Sequence, residues 1–298
     1  MAACMLCPRC CGVDRGAGER GFCGAEDTVH VARAALHPWE EPCLAGKHGA
    51  GTVFFSHCAL RCVYCQNRAI SGPQGVGLPV SIERLTEIFL ELQQQGAGTL
   101  DLVTPSHYAP QIVVALRRAR EIGLHLPVVY NCGGYESLDT LRLLDGWVDV
   151  YLPDFKYYSS YYAVRYSGAA DYFEVASDAV AEMLRQTGTP VFDESGLLTR
   201  GVLVRHLMLP TLGGDTRQVL RHLAERFGDR ILVSLMRQYT PCGVSECYPE
   251  IDRTVTDVEY DEAVEWFTSL GLTGYLQEGA AIGESFIPTW NGEGVLKA

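Results

Sequence analysis

The sequence predicts an α/β fold built on a mostly parallel sheet, and two observations predict it. Short Val/Leu/Ile-rich runs recur from residue 52 onward, and amphipathic helical stretches alternate with them, the pattern of repeated βαβ units. At 298 residues and 47% hydrophobic content, the chain is long enough to close one large barrel-like domain around a substantial core. Strands are expected at 52–56, 99–104, 127–131, 148–152, 201–209 and 231–237, with a short seventh at 274–277. Helices are expected near 81–95, 110–122, 137–144, 172–186, 215–227 and 257–270. The first of these opens Ser81-Ile82-Glu83-Arg84, an N-cap followed by an acidic first turn. Residues 1–48 are Cys/Gly/Arg-rich with little periodicity and read as a small N-terminal module ahead of a core at 49–298. Six β/α units fit an incomplete (β/α)6 barrel, while closed (β/α)8 barrels and doubly wound sheets read alike from pattern alone. In all three the chemistry gathers at the C-terminal ends of the strands.

Charge and cysteine usage narrow the setting. With 24 basic against 36 acidic residues the formal charge is −12, which argues against partners such as nucleic acid or an anionic membrane. No basic segment followed by an apolar one opens the chain, and no run of about 18 apolar residues occurs. A cytoplasmic location is therefore expected, where 12 cysteines point to metal or redox chemistry rather than disulfides.

The sharpest motif follows the first strand. Cys58, Cys62 and Cys65 stand in Ser56-His57-Cys58-Ala59-Leu60-Arg61-Cys62-Val63-Tyr64-Cys65-Gln66-Asn67, spaced C-x3-C-x2-C. Three thiolates on three irons of a cubane leave the fourth iron open to a small molecule, as a catalytic metal keeps an open position. A zinc site needs a fourth ligand, which His57, adjacent to Cys58, is poorly placed to supply. The loop resembles the signature of the radical S-adenosylmethionine (SAM) enzymes. That resemblance implies a [4Fe-4S] cluster on the three cysteines, SAM chelated at the open iron, and a 5′-deoxyadenosyl radical after one-electron cleavage. It also implies the partial (β/α)6 barrel among the architectures above.

The remaining strand ends carry polar residues. The second is followed by Val103-Thr104-Pro105-Ser106-His107-Tyr108, where many radical SAM proteins have Gly-Gly-Glu-Pro; Thr104, Ser106 and His107 stand in its place, with His107 also a catalytic candidate. The third ends Tyr130-Asn131-Cys132-Gly133-Gly134, the fourth Asp154-Phe155-Lys156, and the fifth carries Arg205-His206 ahead of Pro210 and Gly213. Arg and Lys beside a ligand bearing a carboxylate and ribose hydroxyls supply charge-assisted hydrogen bonds. Read from the residues alone, each is equally an internal ion pair, such as Asp154 with Lys156 or Arg205.

Asp154-x-Lys156, Arg205 and Pro210-x-x-Gly213 resemble the activating enzymes of glycyl radical enzymes. There the fourth-strand Asp helps hold a monovalent cation near SAM, and the Lys and Arg contact SAM; Asn131 stands where a third-strand Asp would hold the same cation. The runs Cys7-Pro8-Arg9, His37-Pro38-Trp39-Glu40-Glu41-Pro42, Tyr157 and Gln238-Tyr239-Thr240-Pro241 are similar to a pyruvate formate-lyase-activating-enzyme-like subfamily. The resemblance implies that Asn67, Lys156 and Arg205 bind SAM, with Tyr64 at the adenine edge. It implies a one-electron donor of flavodoxin or ferredoxin type and a glycyl radical enzyme as partner. A radical enzyme acting on a small molecule or peptide is the alternative.

Cys4, Cys7, Cys11 and Cys23 form a second group, in a segment with too little apolar sequence to fold without a crosslink or metal. Zinc, an auxiliary [4Fe-4S] cluster and unligated thiols are all open readings. Cys43, Cys132, Cys242 and Cys247 read as ordinary thiols.

Overall fold

The computed structural model describes residues 3–241, 247–277 and 288–297. In chain order the strands are β1 Val29–His37, β2 Ala50–Phe55, β3 Leu78–Val80, β4 Leu100–Val103, β5 Val128–Cys132, β6 Val150–Pro153, β7 Val191–Phe192, β8 Leu198–Leu207, β9 Leu232–Met236 and β10 Gly274–Leu276. The helices are α1 Pro42–Ala45, α2 Arg68–Ser71, α3 Ile82–Gln94, α4 Ala109–Glu121, α5 Leu138–Leu143, α6 Ser160–Ser167, α7 Tyr172–Thr187, α8 Gly213–Arg226 and α9 Asp257–Ser269. The strands lie in the order β10-β9-β8-β6-β5-β4-β2-β1-β3, with β7 paired to β8. Every pairing from β2 through β10 along this path is parallel, while β1 runs antiparallel to both β2 and β3. The six expected units and the short seventh strand are all present, and the architecture is a partial (β/α)6 barrel carrying a Cys-rich N-terminal segment.

Local chemistry explains several boundaries. Ser81 caps α3 by accepting from the Arg84 amide at 3.1 Å, as its sequence predicts. The strand expected at 201–209 starts three residues earlier, because Leu198–Arg200 form a hairpin with β7. The segment read as aperiodic contains the nine-residue β1, whose Val29, Val31 and Ala34 pack with Leu85, Ile88, Phe89 and Leu92 of α3. A second missed element, α6, is rich in tyrosine rather than aliphatics, so the apolar periodicity did not reveal it.

Side-chain alternation along the strands builds the site. Tyr130, Tyr151, Val202, Val204, Val233 and Leu235 face outward into the layer made with α7, α8 and α9. Val129, Val150, Leu203 and Leu232 point inward and are closed from below by Cys43 and Leu44 of α1. One step along three of these strands, the next inward positions are Asn131, Arg205 and Ser234, while Leu152 of β6 still belongs to the apolar cluster. A polar layer therefore sits on an apolar floor at the C-terminal ends of the strands. No described helix is long and apolar enough to cross a membrane.

Candidate functional site

The loop after β2 leaves the sheet by a sharp turn in which His57 (φ 78°) and Arg61 (φ 52°) adopt left-handed backbone. This turn brings Cys58, Cys62 and Cys65 to the wall of one cavity of about 180 Å³. Each sulfur has a donor: the Leu60 amide to Cys58 at 3.4 Å, Ser167 Oγ to Cys62 at 3.0 Å, and Ser71 Oγ to Cys65 at 3.5 Å. Ser167 is itself oriented by Tyr157, whose hydroxyl lies 2.8 Å from it and 2.7 Å from the Tyr64 hydroxyl. Among the described residues no three His, Cys, Asp or Glu side chains converge on a single-ion position. A cubane needs no such point, since each thiolate takes a different iron. Three cysteines with supported sulfurs on one cavity therefore fit a [4Fe-4S] cluster.

Most of the other sequence-predicted residues line the same cavity: Tyr64, Asn67, Thr104, Asn131, Asp154, Lys156 and Arg205. Asp154 is their hub. It accepts from Lys156 Nζ at 2.6 Å and from Arg205 Nε at 3.1 Å. Burial alone would raise the Asp154 carboxyl, but the two cations outweigh it and hold the group below the usual carboxylate range. Burial likewise opposes the Lys156 charge, and Asp154 wins, leaving the ammonium more firmly protonated than an exposed lysine. Arg205 continues the network, donating to Asn131 Oδ1 at 2.6 Å and to Glu40 at 3.4 Å. Thr104 is β-branched yet sits at φ 58°, a strained conformation of the kind found at ligand sites. At Gly134 (φ 79°) a Cβ would stand 2.1 Å from the Asp154 carbonyl oxygen, so only glycine lets β5 and β6 present their ends together.

Ser106 and His107 turn away from this cavity, in contrast to the expectation for them. The chain enters a 3₁₀ turn at Ser106–Tyr108, which carries both side chains beneath the sheet end. Ser106 donates to Glu136 at 2.7 Å, and His107 Nε2 donates to the Ser56 carbonyl at 2.7 Å. Burial pushes His107 down to about 3, so its imidazole is neutral. Cys132, read as an ordinary thiol, lines the cluster cavity. Cys43 lies in the apolar floor, Cys247 is exposed, and Cys242 lies outside the described residues.

Three residues of this region carry no functional reading in the sequence. Glu40 and Glu41, on the β1–α1 connection, and Asp101, inside β4, converge around Arg205. The signal for Asp101 was a charged residue within an apolar strand run. For Glu40 and Glu41 it was the His37-Pro38-Trp39-Glu40-Glu41-Pro42 run.

The N-terminal segment lies across the cluster loop. Arg9 donates to the carbonyls of Ala59 and Ser167, each at 2.9 Å, and to that of Gly168 at 2.5 Å. Its guanidinium stacks 4.1 Å from the Phe22 ring centroid, and Arg61 of the cluster loop stacks on the same ring at 4.3 Å. Cys4, Cys7, Cys11 and Cys23 lie close enough to act on one another's charge; burial first, then neighbours including Cys23, pushes the Cys7 thiol up to about 12.

No family model matches the chain. An uncharacterized protein of Methanocaldococcus jannaschii is 28% identical over 270 residues, covering 88% of this chain and 73% of that protein. A radical SAM methyltransferase from Sphaerobacter thermophilus superposes with a TM-score of 0.54 at 12% identity, over 76% of this chain and 66% of its own. SuiB of Streptococcus suis, solved with its precursor peptide SuiA, gives 0.50 at 10% identity over 74% of this chain and 46% of its own. The chain thus spans less than two thirds of either solved structure, and what it shares with them is the radical SAM barrel fold.

Proposed function

We propose that this chain is a radical SAM enzyme, and that it serves as the activating enzyme of a glycyl radical enzyme. The observation that carries the first part is the convergence of Cys58, Cys62 and Cys65 with Asn67, Asp154, Lys156 and Arg205 on one cavity. When bound, a [4Fe-4S] cluster and SAM supply a deoxyadenosyl radical that abstracts a hydrogen atom from the substrate. The chain's own work is positioning. Cys58, Cys62 and Cys65 would hold the cluster, and Ser167 and Ser71 fix two of their sulfurs. Lys156 and Arg205, held in place by Asp154, would offer positive charge to the SAM carboxylate, and Asn67 and Asn131 would offer neutral polar contacts. Tyr64, Thr104 and Gly133 bound the cavity.

Asp154-x-Lys156, Arg205 and Pro210-x-x-Gly213 support the activase reading, in which the substrate is a glycine Cα–H of a partner enzyme. A second reading, a radical enzyme acting on a small molecule or peptide, is favoured by a further cavity of about 450 Å³ beside the first. In either case the electron comes from a flavodoxin- or ferredoxin-type donor in the cytoplasm. The N-terminal quartet is a second metal site on these readings; metal analysis assigns zinc at about one ion per chain, or an auxiliary cluster at about four irons beyond the first four.

The test is anaerobic. The protein is reconstituted with iron and sulfide, reduced and given SAM, and 5′-deoxyadenosine is assayed beside the EPR spectrum. Deoxyadenosine from wild type, its absence from the Cys58→Ala/Cys62→Ala/Cys65→Ala variant, and a spectrum perturbed by SAM are the expected results. A cluster that neither shifts with SAM nor cleaves it would sink the proposal. An open reading frame with a C-terminal Arg-Val-x-Gly-like loop in the same genome upholds the activase half; its absence defeats that half alone.

A further inference from the structure

The N-terminal segment closes on itself around Cys4, Cys7, Cys11 and Cys23. The Cys4 amide donates to the Val13 carbonyl at 2.9 Å and the Gly12 amide to the Cys4 carbonyl at 3.1 Å, which folds residues 4–13 into a loop. Cys10 (φ 41°) and Gly12 (φ 70°) turn this loop through left-handed backbone, and Gly24 (φ 88°) does the same after Cys23. The two stretches meet at Gly21, where a Cβ would stand 2.3 Å from the Cys11 sulfur and displace it. The Cys7 sulfur feels the charge of Cys23 and Cys4, and the Cys23 sulfur that of Cys4 and Cys11, so the quartet lies within electrostatic reach of itself. All are free thiols; Cys10, beside them, is exposed, with its thiol on the Cys7 carbonyl at 3.6 Å.

Two observations point to a metal centre here. The amide two residues after the cysteine donates to its sulfur at Cys23, from Ala25 at 3.4 Å, and at Cys7, from Arg9. In the cluster loop the same amide supports Cys58, from Leu60 at 3.4 Å, and Cys65, from Asn67. Support of this kind orients a metal-bound thiolate, whereas a neutral thiol is a weak acceptor. The second observation is Arg15, whose buried guanidinium acts on Cys23. Among the described residues its partners are the backbone carbonyls of His107 and Glu26 and no carboxylate, and its Nε has no partner. The Glu26 carboxylate turns instead to Arg20, at 3.3 Å. A buried cation without an anion is costly, and a negative metal–thiolate centre beside it removes that cost.

Geometry separates zinc from a cluster. Tetrahedral zinc needs four sulfurs about 2.3 Å from one point. Among the described residues no three of these thiols converge on a single-ion position. A cubane needs no such point, since each thiolate takes a different iron. We infer that Cys4, Cys7, Cys11 and Cys23 hold a second [4Fe-4S] cluster, closed by four protein thiolates. Such a cluster deepens the metal reading of the quartet. With no open iron it takes no SAM, and the chemistry left to it is electron transfer. Arg9 ties it to the first cluster: it follows Cys7 by two residues and donates to the Ala59 carbonyl, between Cys58 and Cys62.

Anaerobic reconstitution of the full chain with iron, sulfide and zinc all present tests it. Cys58→Ala/Cys62→Ala/Cys65→Ala, which removes the first site, is expected to keep about four irons and about four labile sulfides per chain, without zinc. Its reduced EPR signal is expected to stay unchanged when SAM is added. About one zinc per chain without sulfide, or neither metal, overturns the inference. Should that variant fail to fold, wild type decides: about eight irons and about eight sulfides uphold the second cluster, and about four of each overturn it. Cys7→Ser/Cys23→Ser is expected to lose about half of the wild-type iron, and Cys10→Ala none of it. Because counting iron needs no SAM cleavage, the two failures separate. About eight irons without deoxyadenosine sinks only the enzyme reading, and deoxyadenosine from a chain holding about four irons sinks only this one.

Discussion

Ser167 donates to the Cys62 sulfur from a helix more than 100 positions along the chain, and Tyr157 holds it there. A hydrogen bond to a cluster sulfur stabilises the reduced, more negative state. Ser167→Ala is therefore expected to lower the cluster potential by up to roughly 40 mV, the one-electron equivalent of about 1 kcal/mol, in an EPR-monitored titration. An unchanged potential would mean that the hydrogen bond plays no part in tuning. Asp154 makes a second prediction. Its pKa in the folded state is depressed, so its contribution to stability is present above the unfolded carboxylate value of about 4 and is lost as pH falls through the folded value. Asp154→Asn is expected to cost about 3 kcal/mol at pH 7, because Lys156 and Arg205 lose their shared partner in a largely buried setting. Urea unfolding at pH 7 and at pH 3 checks this: the gap between wild type and variant should shrink in acid. Glu41 titrates the other way. Burial raises it to about 7, so wild type is expected to lose stability relative to Glu41→Gln as pH rises from 5 to 8. Urea unfolding that shows the same gap at both pH values would mean that burial does not shift Glu41.

At the scale of elements, the N-terminal segment and the cluster loop behave as one unit. Arg9 is the bolt between them, because its planar fork reaches three carbonyls while its face stacks on Phe22. Arg9→Ala should cost about 2 kcal/mol in urea unfolding and leave the reconstituted protein short of iron. Arg9→Lys should not rescue it, since one ammonium cannot replace the fork. Full iron content in Arg9→Ala would show that the cysteine loop holds its shape unaided. The strand ends are a second coupled unit: the Tyr172 hydroxyl of α7 touches the Gly133 carbonyl, the Asp154 carbonyl and the Lys156 amide, each at 2.9 Å. The turn after β5 and the turn after β6 are thereby tied together beneath the residues that line the cavity.

Across the whole molecule, one end of the sheet is antiparallel, made by β1 and β3, and residues 1–48 supply the longer of the two, β1. β2 is buried along its full length, with β4 on one side and β1 on the other. A chain beginning at residue 49 would expose that edge together with the apolar face of α3, a ready template for aggregation. Size-exclusion chromatography of such a chain is expected to show aggregate rather than monomer. A well-folded soluble product would instead make the N-terminal segment an appendage.

Parallel strands followed by amphipathic helices were legible because their signal is local: apolar residues at periods of 2 and 3.6 within windows of a dozen residues. The cluster loop was legible for the same reason, three cysteines within eight residues needing no distant partner to be recognised. Strand β1 and tyrosine-rich α6 were not, because neither carries a clean apolar period. The neighbours Thr104 and Ser106 could not be told apart either: a left-handed residue and a 3₁₀ turn send one into the cavity and the other beneath it. The β/α order, the cysteine loop and the residue types at the strand ends can thus be read from local sequence. Which of those residues meet is set by the folded chain. The contact between Glu40 and Arg205 spans 165 positions, and Glu40 reaches Asp101 and Arg205 only after α1 has entered the floor of the barrel. Convergence of that kind depends on how the sheet curves and closes, which no local period records.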